Sequence, residues 1–487
     1  MAHGGNPDTR VGVATRQNDR QAGMNSDSRL SDLAALLDSR FLLDFIVGRK
    51  GSRRELLNQV SRRVTAKDSF DFIAGRRGSR RAYLKQLLRR LRRQKSEMQQ
   101  ELLDLLSANG TVASAQKPLL PGIGHYGLFH AEIGIGQAAR RLASAIKTAK
   151  IPTSLHNISL PQHESKVDFE ASDGLMSSYE TILLHFNADT FLDLYNFFPL
   201  AALVRRRRIG HWVWELPVFP PQWVPALDKL HEIWVPSRFV AEAVANATKK
   251  PVRIVPYAVP VQDYSKHEAR KNLKLPDDAF IFLTIFDSSS FPTRKNVLGA
   301  IRAFMDAFPN PGESSPILVI KCHGVGNRGQ EFKTLNKLIS DDRRLVLIDR
   351  VFSEGEITQL QAACDCLISL HRAEGFGLNI AECMSKAKIV IVTNFSGNTD
   401  FTRPENSLLV PYKMAKVGKH AYVCGGGQWW AEPDHDAAVE AMRRAAANAS
   451  EVQHLAARAC ADIAQNFSFE AIGRIAKAAW QQELKPF

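Results

Sequence analysis

The residues best suited to chemistry lie in one stretch, His371-Arg372-Ala373-Glu374-Gly375-Phe376-Gly377-Leu378-Asn379-Ile380-Ala381-Glu382. It follows the apolar run Cys366-Leu367-Ile368-Ser369-Leu370 and opens a helical pattern. Gly375 and Gly377 permit a tight turn and let backbone N–H groups come close to a ligand. The helix that follows offers its positive N-terminus, an environment that suits a diphosphate. Glu374 in the loop and Glu382 in the helix can face one crevice, and carboxylates accept hydrogen bonds from the vicinal hydroxyls of a ribose or a hexose. A second group, Ser288-Ser289-Ser290-Phe291-Pro292-Thr293-Arg294-Lys295-Asn296, sets two adjacent cations at a strand-to-helix turn, where phosphates would lie. A third, Ala131-Glu132-Ile133-Gly134-Ile135-Gly136-Gln137, is a glycine loop ahead of a helix. Ala139 stands where the last glycine of a dinucleotide fingerprint would be.

Such loops need a rigid frame. From about residue 118 onward, short runs rich in Val, Ile and Leu alternate with helical patterns. Examples are Thr181-Ile182-Leu183-Leu184-His185, Phe280-Ile281-Phe282-Leu283-Thr284-Ile285, Ile317-Leu318-Val319-Ile320 and Ile389-Val390-Ile391-Val392. Unbroken apolar strands belong to parallel sheets covered on both faces. The expected fold is α/β, with two doubly wound Rossmann-like domains facing a cleft. Residues 118–262 would form the N-terminal domain and 263–468 the C-terminal one, followed by a C-terminal helix over 469–487. The Pro-rich stretch from Pro256 to Pro276 is the boundary.

The first 117 residues differ in character. They hold 23 Lys and Arg against 12 Asp and Glu, whereas the other 370 hold 41 against 38, so most of the net charge of +14 belongs to this quarter. Residues 1–28 are polar and aperiodic, the composition of a disordered segment. In the basic helical region 29–117, an eleven-residue motif starting at Asp44 recurs 27 residues later, starting at Asp71. Leu84, Leu88, Leu91, Lys95, Met98, Leu102 and Leu105 then form a heptad seam. This helix either packs on its own protein, forms a homodimer through residues 79–107, or docks on a surface. Residues 40–95 would suit an anionic membrane. No stretch of 18 apolar residues and no secretory leader is present, and the six cysteines show no C-x-x-C pair. These features predict a cytoplasmic protein with reduced thiols, held peripherally on the inner face of the membrane.

The pair Glu374 and Glu382, eight positions apart, resembles the E-x7-E signature of family-4 glycosyltransferases, which have the GT-B fold. The resemblance spans roughly residues 120–480. It includes His211-Trp212-Val213-Trp214-Glu215-Leu216-Pro217, Trp234-Val235-Pro236-Ser237-Arg238-Phe239-Val240, Arg294-Lys295-Asn296, Ser396-Gly397-Asn398-Thr399-Asp400-Phe401 and Trp430-Ala431-Glu432-Pro433-Asp434. It implies a retaining transferase that takes a sugar from a nucleotide-diphosphate donor and passes it to a glycan or lipid-linked acceptor. By position, Arg294 and Lys295 would bind the diphosphate and Glu374 the transferred sugar. The loop Gly375, Phe376, Gly377, Leu378 and Asn379 would approach sugar and phosphate, and Glu382 would hold the ribose. Gly134 and Gly136 would line the N-domain wall. In this family an N-domain histidine often lies near the donor sugar; His211 or Glu215 would fill that place, with His185 a further candidate. The implied route is front-face transfer with no required metal or other cofactor, and Asp341-Asp342 reads as a solvated turn rather than a metal motif. A rival reading makes the basic repeats a nucleic-acid or protein binding module attached to an inactive or sensory GT-B unit. The same fold also serves nucleotide-sugar epimerases and glycogen-type phosphorylases.

Overall fold

The computed structural model describes residues 118–482, apart from 160–166, 196–197, 199, 204, 263, 288–290, 311, 313–314, 324–328 and 448. The polar segment, the repeat, the heptad seam, and the membrane and homodimer surfaces expected of them therefore lie outside the described residues.

Two six-stranded parallel sheets form the frame. The first contains β1 (Leu120–Gly127), β2 (Thr153–Asn157), β3 (Tyr179–His185), β4 (Arg207–His211), β5 (Glu232–Val235) and β6 (Val252–Ile254), in the order β2-β1-β3-β4-β5-β6. The second contains β7 (Ile281–Ile285), β8 (Ile317–Cys322), β9 (Leu345–Asp349), β10 (Cys366–Ser369), β11 (Ile389–Thr393) and β12 (Leu408–Val410), in the order β12-β11-β10-β7-β8-β9. All their pairings are parallel, and central strands such as β11 are buried throughout. The apolar runs thus form the doubly wound α/β architecture expected from them. A two-stranded antiparallel hairpin, β13 (Tyr412–Lys416) with β14 (Trp429–Pro433), projects from the second sheet's domain.

Strand order fixes where a ligand can sit. In the second sheet the chain runs from β7 outward to β9 and then crosses back to β10 on the other side of β7. The loops after β7 and β10 diverge there and leave a crevice at the carboxyl ends of the strands. The corresponding point in the first sheet lies between β1 and β3.

The C-terminal helix Phe469–Gln481 follows the second domain in sequence but packs on the first. Gly473 lies so close to the Gly134–Thr148 helix that an added Cβ would run into Ala145 O. Arg207 donates to Trp480 O at 2.5 Å, and the Trp480 indole N–H donates to Thr181 Oγ1 at 3.1 Å. The linker is tied to the same return, because Val259 N–H donates to Phe467 O at 2.8 Å. All six cysteines are free; Cys322, Cys364, Cys366 and Cys383 are buried, and Cys424 and Cys460 are partly covered. Among the described residues no helix is long and apolar enough to cross a membrane.

Candidate active site

The loop after β10 is shaped by its own backbone. Gly377 adopts φ +95° as the N-cap of the helix Leu378–Ser385, a conformation that favours glycine, and no side chain caps that helix. The Phe376 side chain is buried against Tyr257, Phe401 and Phe467. Glu374 is clasped by the neighbouring loop: its N–H donates to Ser396 Oγ at 2.8 Å, and its C=O accepts from Gly397 N–H at 2.8 Å. Ser396 pays for this contact with φ +74° and ψ −149°, a region that only glycine occupies readily. Gly397 and Gly375 pass so close that a Cβ on Gly397 would strike Gly375 O.

The loop after β7 brings the cations to the same place. Pro292–Lys295 forms one short helical turn, and Asn296 in the left-handed region restarts the chain as the helix Val297–Ala307. Arg294 is buried, donates to Ala373 O at 2.7 Å and lies 3.3 Å from Glu374 Oε2. Lys295 pairs with the other oxygen of Glu374. Ser288–Ser290, earlier in this loop, lie outside the described residues. Burial pushes the Glu374 carboxyl up, but Lys295 and Arg294 outweigh it and hold its pKa down at about 2. Burial likewise works against the Arg294 charge, while Glu374 and Glu215 more than offset it and keep the guanidinium protonated. His371 is buried between Ser369 and Asn398; burial lowers its pKa and leaves the ring neutral.

Glu382 lies one turn into the Leu378–Ser385 helix and is buried. Its Oε2 accepts from Gln361 at 2.5 Å. Its Oε1 takes Arg141 and, at 3.2 Å, Gln137, both from the N-domain helix Gly134–Thr148. The same two residues reach Glu354 Oε1, at 3.3 Å and 3.2 Å. The carboxylate expected to face a ribose therefore also joins the two domains. Arg141 and Gln137 are four apart on one helix face, and that spacing is the signal by which sequence could have singled them out.

The N-domain residues divide into two groups. Gly136 fits where a Cβ would meet Ala131 O at 2.5 Å and Leu128 O at 2.7 Å, whereas Gly134 is exposed with nothing within 4 Å. Glu215, in the turn after β4, reaches the cluster, with Oε1 4.0 Å from Arg294 Nη2. His211 does not: it is fully buried and bonded through Nε2 to Val255 O at 3.0 Å. It stacks on His185 at 4.3 Å and on Tyr257 at 5.4 Å, while His185 in turn meets His125 Nε2 at 3.3 Å. Burial lowers these histidines, His211 to about 4 and His125 to about 3, so the stack is neutral. His211 and His185 thus stand in a packed column of buried rings. Of the candidates at that place, Glu215 is the one that meets Arg294.

Asp342 is bound by Arg344 through contacts of 3.0, 3.2 and 2.6 Å, an internal ion pair. Among the described residues no group of three His, Cys, Asp or Glu could hold a metal ion.

Two parallel-sheet α/β domains, with a cation pair and a buried carboxylate at the switch point of the second, define the GT-B architecture. Three solved structures share it. HepE of Anabaena, crystallised with UDP and glucose, is 16% identical with TM-score 0.54, covering 74% of this chain and 100% of its own. Sucrose-phosphate synthase of Thermosynechococcus elongatus is 16% identical with TM-score 0.53, covering 74% and 99%. A glycosyltransferase of Rickettsia africae is 11% identical with TM-score 0.53, covering 74% and 98%. No curated protein matches the sequence. Residues 289–420 match the family model of group 1 glycosyl transferases, and the fold is GT-B.

Proposed function

We propose that the protein is a retaining glycosyltransferase. It takes a sugar from a nucleotide-diphosphate donor bound between the two domains and passes it to a glycan or lipid-linked acceptor during surface polysaccharide or glycoconjugate synthesis. The observation that carries this reading is the convergence of Arg294, Lys295 and Glu374 at the switch point of the group 1 glycosyl transferase domain. A diphosphate would draw Lys295 and Arg294 from Glu374. The freed carboxylate would accept from hydroxyls of the sugar. As the bond to the anomeric carbon breaks, charge grows on the departing phosphate. The two side chains and the uncapped helix start at Leu378 would stabilise it in place. The departing phosphate, on the same face as the acceptor, would take the acceptor's proton, and the anomeric configuration would be kept.

Thermal-shift measurements with UDP-, GDP-, dTDP- and ADP-linked sugars test the reading, and HepE with UDP-glucose makes the uridine donors the first to try. One donor should raise the melting temperature by several degrees, and Glu382→Ala and Arg294→Ala should each abolish that shift. NMR of the product should show the donor's anomeric configuration, and EDTA should leave turnover intact. Failure of every donor to shift the protein would refute the donor reading, and an inverted product would refute the retaining route.

A further inference from the structure

Arg294 carries two carboxylates, one from each domain. Glu374 of the second lies 3.3 Å from Nη1, and Glu215 of the first lies 4.0 Å from Nη2. Glu215 is held in place by Tyr422, whose hydroxyl donates to Oε2 at 2.6 Å. The Tyr422 ring lies 5.5 Å from the Arg294 guanidinium and packs on Trp214 and Phe291. Tyr422 arrives on residues 417–428, which link β13 to β14 and reach across to the N-domain. Val218 N–H donates to Gln428 Oε1 at 3.0 Å, and the Gln222 amide donates to Cys424 Sγ at 2.6 Å. At the base of the hairpin, Arg372 grips Glu432 with bonds of 2.6 and 2.8 Å and donates to Thr293 O at 2.5 Å, beside Arg294 itself. The hairpin thus fixes both the guanidinium and the carboxylate opposite it.

The charges in this cluster balance, with Arg294 and Lys295 against Glu374 and Glu215. A diphosphate occupies the two cations and leaves two carboxylates facing the sugar. Hydroxyl groups donate to those carboxylates, whereas a sugar carboxylate would set a third anion against two fixed ones. We propose that Glu215, oriented by Tyr422, determines sugar specificity by rejecting anionic sugars, so that the transferred group is an uncharged sugar. The inference rests on the donor reading above. Tyr422 is the positioning residue: it acts through Glu215.

Calorimetric titration of the full chain tests it, using UDP, UDP-glucose and UDP-glucuronate, and GDP, GDP-mannose and GDP-mannuronate. The bare diphosphates select the base. The wild-type protein should bind the hexose-linked form about 30-fold more tightly than the uronate-linked form. Glu215→Gln should narrow that preference about tenfold, through tighter uronate binding. Tyr422→Phe, which keeps the ring and removes the hydroxyl, should narrow it less and add nothing in the double variant. Equal affinity for hexose and uronate in the wild type overturns the inference. So does an unchanged preference in a Glu215→Gln protein that still binds the diphosphate. Should Glu215→Gln lose the diphosphate as well, Tyr422→Phe decides: an unchanged preference there is fatal. If the wild type binds none of UDP, GDP, dTDP and ADP, the donor reading itself fails and takes this inference with it.

Discussion

On the C-terminal side of the cleft, Glu374 is set by backbone: hydrogen bonds on both sides of its peptide, a strained Ser396, and glycines whose chains touch. On the N-terminal side, Gln137 and Arg141 reach across through long side chains from one helix. A side chain can swing by rotation about single bonds, whereas a clasped backbone cannot move without breaking several hydrogen bonds together. The first wall is therefore the fixed one, and the second the one whose groups are free to engage and release. Chemistry requires a fixed partner and turnover a movable one.

Four outcomes would break or sharpen this contrast. The largest effect should come from Arg294→Ala. It removes the cation shared by Glu374 and Glu215, and turnover should fall a hundredfold or more. Leaving a buried carboxylate with only Lys295 should also cost about 3 kcal/mol of stability in chemical denaturation. Acid is the second probe. The buried histidines have folded pKa values below the ordinary 6.5, so the unfolded chain gains protons first, and stability should fall as soon as pH drops below about 6.5, by several kcal/mol near pH 4. Glu374 has a lowered folded pKa, so its contribution is complete above pH 4.5 and is lost between about 4.5 and 2, for about 3 kcal/mol. With His125, His185 and His211 against the single His371, the first domain should accordingly lose more stability at mild acidity than the Glu374 loop, which tryptophan fluorescence from Trp212 and Trp234 would reveal. A loss of stability confined to pH below 4.5 would contradict that order. Third, Gly397→Ala should force the two clasped loops apart and lower stability by about 1–3 kcal/mol with a larger proportional loss of turnover. Gly134→Ala, on the other wall, should leave stability within about 0.5 kcal/mol, since nothing stands near its Cβ.

Sequence carried the C-terminal wall well because it is local. The strand Cys366–Ser369, the glycine turn and the helix from Leu378 are consecutive, so one stretch contains Glu374, Glu382 and the loop between them. Most of the two sheets was legible for the same reason, through apolar runs. β1, β2 and β4 are exceptions: Thr153–Asn157 and Arg207–His211 are not apolar runs, and Leu120–Gly127 contains three glycines and a proline and is held as a strand by β2 and β3 on either side. What sequence could not carry is distant in the chain. Tyr422 lies in a glycine-rich connection with no periodicity, and it meets Glu215 across 207 positions. The column of His125, His185 and His211 assembles from three strand ends, so His211 read alone gave no sign that it is packed against rings on two sides.

The return of the chain's last described helix to the first domain has a mechanical meaning. The two halves are joined twice, by the linker near Val259 and by the crossing near Phe467, and those crossings are bonded to each other at 2.8 Å. A body held by a single tether can tumble; one held by two adjacent pins swings like a door. Such a double crossing would restrict any opening of the cleft to rotation about one axis, and each closure would bring Arg141 back to Glu382 in the same register.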